Sequence, residues 1–279
     1  MRFEKIYEFK AGNDGILSIL TINNTIYITG EDNFIRSFNI LNYKPIKEVK
    51  AHLKDVLKII ISPCKKYIFS ISRDGYIKQW DLNLNFVCEY EPHNADVNDL
   101  DFIDEKYFIS ASDDSTVRLY KIGSKNYDKV VKPNIGDVNA VKVTQKNIYI
   151  GGSKLQILNR NFKMINEDDD YIYGINLIKN NQNLIYISRS MEKYLEIWDE
   201  EKLERIKKIK LSNWINDILF YDDKIFIANA NLISVFDKDM NIIAENDFHL
   251  DEIYSISVYD KKFITASNDS YIRIWQINY

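Results

Sequence analysis

His52, His93 and His249 are the three histidines of the chain and the first candidates for catalysis or metal binding. Imidazole titrates near neutral pH and serves widely as general base and zinc ligand. Each histidine lies four residues ahead of an apolar residue, Val56, Val97 or Ile253, that opens a strand-like run. This shared placement assigns all three a recurring structural duty and leaves none for a catalytic base or a zinc site. The run Glu167-Asp168-Asp169-Asp170 is dense in carboxylates but lacks the alternating spacing and the glycine of a calcium loop. It reads as a solvated acidic loop. Asp247, His249, Asp251 and Glu252 straddle one of the histidine positions, so no metal is assigned to them either. The basic run KLERIKKIK, residues 202–210, has two readings. It is a solvated outer strand whose lysines discourage edge pairing, or a patch for phosphate or an acidic partner; the strand is preferred. There is no glycine-rich phosphate loop, no GxSxG and no Cys/His nucleophile pair. No enzyme activity and no cofactor are expected.

Composition narrows the classes further. The net charge is -4, from 37 Lys+Arg and 41 Asp+Glu, so a basic nucleic-acid footprint is not expected on average. Two cysteines, Cys64 and Cys88, cannot form a disulfide framework and read as inert buried thiols of a reducing compartment. No run of 18 apolar residues exists and the N-terminal MRFEKIYEFK has no signal-peptide core, so membrane insertion is not expected and a cytoplasmic location is. Glycine (9) and proline (4) are scarce, and Asn/Asp pairs take their places at the turns.

The elements that position these residues follow from a repeat. SISRDGYIKQWDL, residues 70–82, reads as strand, tight turn, strand. Its tetrapeptide IKQW, ending at Trp80, has six counterparts: IRSF to Phe38, VRLY to Tyr120, LQIL to Leu158, LEIW to Trp198, ISVF to Phe236 and IRIW to Trp275. Successive gaps are 38 to 42 residues, so seven units fill the 279-residue chain as one domain, 1–279. An apolar run precedes each anchor in phase, opening at Ile16, Val56, Val97, Val138, Ile172, Ile215 and Ile253. Four short strands per period of about 40 residues are the signature of a propeller blade.

At this point the chain resembles the WD-repeat family over its whole length. The Trp-Asp dipeptide occurs at Trp80-Asp81 and Trp198-Asp199. The fuller family pattern of His, Ser/Thr, turn Asp and Trp is matched by His52, Ser70, Asp74 and Trp80 in repeat 2, and by His249, Thr265, Asp269 and Trp275 in repeat 7. Repeat 3 has His93, Ser110 and Asp114 with Tyr120 in the Trp place; repeat 1 keeps Asp32, repeat 5 keeps the Trp, and repeats 4 and 6 lack both His and Asp. The resemblance implies a hydrogen-bonded network inside each matching blade. It implies an all-β, seven-bladed β-propeller of four-stranded antiparallel blades. Residues 1–10 have no blade of their own and are expected to pair with the last blade and close the ring.

The resemblance also implies where partners dock. In such propellers the residues flanking the first apolar position, and the residue before the turn Asp, line the rim of the narrower face. Carried over, that rim holds Tyr171, Tyr173, Trp214, Asn216, Glu252, Tyr254 and Asn268 in blades 5 to 7. In blades 2 to 4 it holds Asp55, Leu57, Arg73, Asp96, Asn98, Asp113, Asp137 and Asn139. One half is aromatic and the other mostly acidic. Trp214, outside the repeat position of the other three tryptophans, stands out as a binding anchor. The expected function is a noncatalytic, monomeric scaffold that binds a protein or peptide partner, a segment carrying Lys or Arg beside an apolar residue. The alternatives are nucleic-acid or phosphoinositide binding through basic blade edges, and an enzyme with a site in the central channel.

Overall fold

The computed structural model describes residues 1–168, 174–189 and 191–278. Every regular element among them is a β-strand, and no helix long and apolar enough to cross a membrane is present. The strands form seven antiparallel four-stranded sheets, the blades of a seven-bladed β-propeller. Blade 1 covers residues 16–50, blade 2 covers 56–89, blade 3 covers 97–131 and blade 4 covers 140–167. Blade 5 covers 175–210, blade 6 covers 215–247, and blade 7 joins 253–278 to the N-terminal strand Arg2–Lys10.

That N-terminal strand pairs with Tyr271–Asn278 from Arg2↔Asn278 to Lys10↔Tyr271, as expected for a last blade that lacks a fourth strand of its own. Phe3 anchors it, packing its ring 4.9 Å from Phe248 and 5.8 Å from Phe263.

The chain divides into two compact units, Met1–Ile59 with Ile215–Tyr279, and Ile60–Trp214. In the first, Ile16, Ile19, Ile26 and Ile28 of blade 1 form one buried cluster with Ile264, Ala266, Ile272 and Ile274 of blade 7. Phe226, Ile233 and Val235 of blade 6 form another with Ile253, Phe263 and Trp275. In the second unit, blade 3 packs on blade 4 through Ile109, Val117, Val141 and Ile148, and blade 4 on blade 5 through Tyr149, Ile157, Ile178 and Ile187. Each middle strand is therefore covered on both faces, which is why ITG, FISAS and FITAS-type runs are apolar or small without alternation.

Turn chemistry explains the Asp of the Trp-Asp pair. Asp81 Oδ1 accepts from the amides of Asn83 and Asn85 at 2.8 and 2.9 Å, and Asp199 Oδ1 from those of Glu201 and Lys202 at 2.8 and 3.1 Å. Asn39, Asn159 and Asp237 make the same turn one residue past their anchors. The left-handed positions are shared more widely than Asn and Asp alone: Tyr43, Leu84, Phe162, Leu203 and Met240 all have positive φ in these loops. Gly75 is required in its turn, because at φ +85° an added Cβ would lie 2.7 Å from the His93 carbonyl.

Candidate functional site

The blade networks come first, because they decide what the histidines do. In blade 7, His249 Nδ1 lies 3.0 Å from Asp269 Oδ2 and its Nε2 lies 2.7 Å from Thr265 Oγ1. Trp275 Nε1 donates to the same hydroxyl at 3.1 Å, and Arg273 Nη1 donates to Asp269 at 2.5 Å. Blade 3 repeats the pattern: His93 Nδ1 to Asp114 at 2.9 Å, Nε2 to Ser110 at 2.7 Å, and Arg118 to Asp114 at 3.1 Å. There the Tyr120 hydroxyl turns away from the network and donates to the Glu91 carbonyl at 2.8 Å. In blade 2, Trp80 Nε1 donates to the buried Ser70 hydroxyl at 2.9 Å, Asp74 Oδ1 accepts from the Tyr76 amide at 3.0 Å, and His52 is buried.

Burial pushes His93 and His249 below the usual imidazole range, against the opposing pull of Asp114 and Asp269. Burial would raise the two aspartates, yet hydrogen bonds from the histidines, Thr116 and Arg273 hold both well below the usual carboxylate range. The native arrangement is a neutral imidazole against a charged carboxylate, with both ring nitrogens of His93 and His249 engaged. Asp247, His249 and Asp251 have separate partners: Asn231 at 2.8 Å, the Asp269 network, and Asn268 at 2.8 Å. Among the described residues no group of three or more His, Cys, Asp or Glu is placed to hold a metal.

Three structural features went unread in the sequence. The residue two before each anchor faces the outer strand, and in six blades it meets a polar partner. The pairs are Arg36–Glu48, Lys78–Glu89 at 3.9 Å, Gln156–Glu167 at 2.6 Å, Glu196–Lys208 at 3.7 Å, Ser234–Glu245 at 2.8 Å and Arg273–Glu8 at 2.9 Å. Second, short polar side chains of one inner strand satisfy edge amides of the next blade. Asp99 Oδ2 accepts from Val141 at 3.1 Å, Asp217 Oδ2 from Ile256 at 3.0 Å and Ser255 Oγ from Ile19 at 3.2 Å.

Third, blade 5 replaces the histidine network with buried ions. Arg189, wholly buried, pairs with Asp168 and lies 2.9 Å from Glu196, which also accepts from Trp198 Nε1 at 3.1 Å and Arg205 at 2.9 Å. This corrects the solvated-loop reading: Glu167 is tied to Lys154 and Gln156, and Asp168 is buried on Arg189. Asp169 and Asp170 lie outside the described residues. The thiols need correction as well, since Cys64 is exposed and Cys88 half-buried.

The rim residues fall as follows. In the unit Ile60–Trp214, Asp96, Asp113 and Asp137 come together with Arg73, whose Nε lies 3.8 Å from Asp96. Burial raises the Asp113 carboxyl and the charges of Asp137 and Asp96 raise it further, against the Asn98 hydrogen bond and Arg73. Asn98 Nδ2 spans from Asp113 to the Val138 carbonyl at 3.1 Å. Trp214 is 45% exposed, with the Lys193 ammonium 5.9 Å from its ring. Tyr171 and Tyr173 lie outside the described residues. In blade 5 Ile175 pairs with the end of the second strand at Arg189, as Ile253 pairs with Ser267, while Ile172 lies outside the described residues. The flanking positions there are thus Gly174 and Asn176.

In the other unit, Asn216 Nδ2 donates to the Ile253 carbonyl at 3.0 Å, the counterpart of Asn98, and Asn268 Nδ2 donates to Asp251 at 2.8 Å. Asp55 is half-buried. Burial, Glu252, Glu31 and Asp251 push the half-buried Tyr254 hydroxyl up to about 12, so Tyr254 has carboxylates around it.

Comparison with known proteins matches the "WD domain, G-beta repeat" family model to residues 43–81, 84–121 and 240–276. The chain is 32% identical over 74 residues to "Ribosome biogenesis protein YTM1" of Candida glabrata, covering 26% of this chain and 16% of that protein. It is 36% identical over 63 residues to the Saccharomyces cerevisiae protein of the same name, covering 23% and 13%. A "WD repeat-containing protein 55 homolog" of Dictyostelium discoideum is 31% identical over 64 residues, covering 23% and 16%. The chain thus spans less than a fifth of the length of each of these relatives.

Proposed function

We propose that the chain, which matches the WD-repeat family model over residues 43–81, 84–121 and 240–276, is a noncatalytic protein-interaction scaffold of that family whose rim loops receive a partner segment carrying Lys or Arg beside an apolar residue. The observation that carries this reading is the Asp113 carboxyl, which feels the charges of Asp137 and Asp96 against that of Arg73, whose Nε lies 3.8 Å from Asp96. Three carboxylates and one cation leave an excess of negative charge that an incoming lysine or arginine relieves, giving steering and register. Trp214 supplies exposed apolar area beside blade 6, and Tyr254 a second ring in an acidic setting. Asn216, Asn268 and Asp55 belong to the rim reading in the other unit, where Asn216 holds the Ile253 carbonyl and Asn268 holds Asp251. The engagement of His93 and His249 inside their blades supports a scaffold over an enzyme. Ribosome biogenesis, named for two of the relatives, is the process in which we place it.

The test is capture of partners from nuclease-treated lysate of the protein's own cells, comparing wild type with Trp214→Ala and with Asp96→Lys/Asp113→Lys. Each variant should lower recovery of the same partner about tenfold or more at unchanged melting temperature. The control Lys207→Glu, on the outer strand of blade 5, should recover it fully. Loss with Lys207→Glu and retention with Trp214→Ala would place the interaction on the blade edge and end the rim reading.

A further inference from the structure

The outer strand of blade 5, Glu204–Lys210, carries Arg205, Lys207, Lys208 and Lys210 in seven residues, a local reversal of the chain's net charge of -4. Lys208 and Lys210 project to one face: their ammonium groups lie 4.4 and 5.6 Å from the centre of the Tyr194 ring. Two strand residues separate them by about 6.8 Å, on the order of the distance between successive phosphates of an extended single strand. Next to Tyr194, the Lys193 ammonium donates to the Ser212 carbonyl at 3.0 Å rather than to a carboxylate, and lies 5.9 Å from the Trp214 ring. Glu192, Lys193, Tyr194, Lys210 and Ser212 are among the residues that line one open groove of about 480 Å³ between these groups, its one carboxylate beside two ammonium groups. Cations and rings thus share one track from Lys208 to Trp214, with Lys208 also 3.7 Å from Glu196 and 3.9 Å from Glu192, contacts that a phosphate on Lys208 would compete with.

We propose that this track binds single-stranded nucleic acid, about three nucleotides long, with Lys208, Lys210 and Lys193 on phosphates and a base stacked on Trp214. An acidic peptide would use the lysines but leave the rings idle, and a duplex would offer no base face to the indole. The net negative charge of the chain does not oppose this at short range, because screening confines the field of distant carboxylates to about 8 Å at physiological salt. The site goes beyond the rim reading; it shares Trp214 with it, whereas Lys193 and Lys210 belong to the track alone.

Trp214 also supplies the readout, since Trp80, Trp198 and Trp275 are only 5%, 6% and 9% exposed and Trp214 is 45% exposed. A 12-mer oligouridylate titrated into the full chain should quench tryptophan emission. Affinity should fall with salt at a logarithmic slope of about -2, as three phosphate contacts require. Lys193→Glu/Lys210→Glu should weaken binding at least tenfold with the melting temperature unchanged, and the milder Lys193→Gln/Lys210→Gln should weaken it less. Trp214→Phe should keep binding, followed then by anisotropy of a labelled oligonucleotide, where Trp214→Ala loses about tenfold. Asp96→Lys/Asp113→Lys must not weaken it, which separates this site from the rim. Oligoglutamate of equal charge binding as tightly, lysine variants binding normally, or no quenching at millimolar oligonucleotide in low salt would each overturn the proposal.

Discussion

Asp269→Ala tests whether the blade network is a stabilising unit. The carboxylate accepts from His249 at 3.0 Å, from Arg273 at 2.5 Å and from the Tyr271 amide at 3.0 Å. Hydrogen bonds to a charged group contribute about 1.5–3 kcal/mol each. Removing one partner of a buried ion pair costs about 3–5 kcal/mol, because the charge left behind is uncompensated. Arg273 keeps Glu8 at 2.9 Å, so the simple sum overstates the loss. A destabilisation of about 3 kcal/mol is expected. With a urea m-value of about 3 kcal/mol/M, that lowers the midpoint by roughly 1 M at unchanged slope. Asp32→Ala in blade 1 is the internal comparison. Asp32 meets Arg36 at 2.7 Å, but Gly12 stands four residues before Ile16, where the other blades place a histidine, so its loss should be about 1–2 kcal/mol. A midpoint for Asp269→Ala equal to that of wild type, or no lower than that of Asp32→Ala, would refute the claim that the imidazole–carboxylate pair stabilises blade 7.

Removing residues 1–10 should leave the strand Tyr271–Asn278 unpaired and strip Phe3 from its aromatic cluster, so the truncated protein should melt much earlier or aggregate; wild-type melting would contradict it. Acid should destabilise in two stages. Unfolded histidine takes a proton near pH 6.5 while native His93 and His249 resist it, so stability is full above that value and declines as pH falls below it. Asp114 and Asp269, held low in the fold, add a second loss once pH drops below about 3.9. A melting temperature that rises between pH 7 and pH 5 would mean the native histidines are charged. Glu196→Ala in blade 5 leaves the buried Arg189 with Asp168 alone and takes the acceptor from Trp198 Nε1, so it should cost about 3 kcal/mol, and a loss under 1 kcal/mol by denaturant titration would contradict the buried-ion account.

The fold was legible because its strongest signal is periodic. Seven anchors at near-constant spacing survive the loss of individual motif residues, and Leu158 or Phe236 fills the anchor position as well as a tryptophan does for burial. The networks of blades 3 and 7 were legible because histidine is scarce and its role unambiguous. The cross-strand pairs were hidden by chemistry: Arg36–Glu48 and Glu196–Lys208 place opposite charges in the same two positions, and Ser234–Glu245 has no cation at all. A bulge in each outer strand, such as that at Ile206 opposite Ile197 and Trp198, also shifts the register that a reader of spacing would assume. Blade 5 misled because its apolar run offers both Ile172 and Ile175, and only pairing to Arg189 decides between them. The Asp168–Arg189 contact joins residues 21 apart across two elements, with no motif to announce it.

The most direct test of the rim account is the association rate of the captured partner as a function of ionic strength, for wild type and for Asp96→Lys/Asp113→Lys. If the carboxylates around Asp113 steer a basic segment, the wild-type rate should fall steeply from low to physiological salt. The charge-reversed protein should associate about tenfold or more slowly at low salt and lose most of that salt dependence, with dissociation changed less. Equal rates and equal salt slopes for the two proteins would contradict the account.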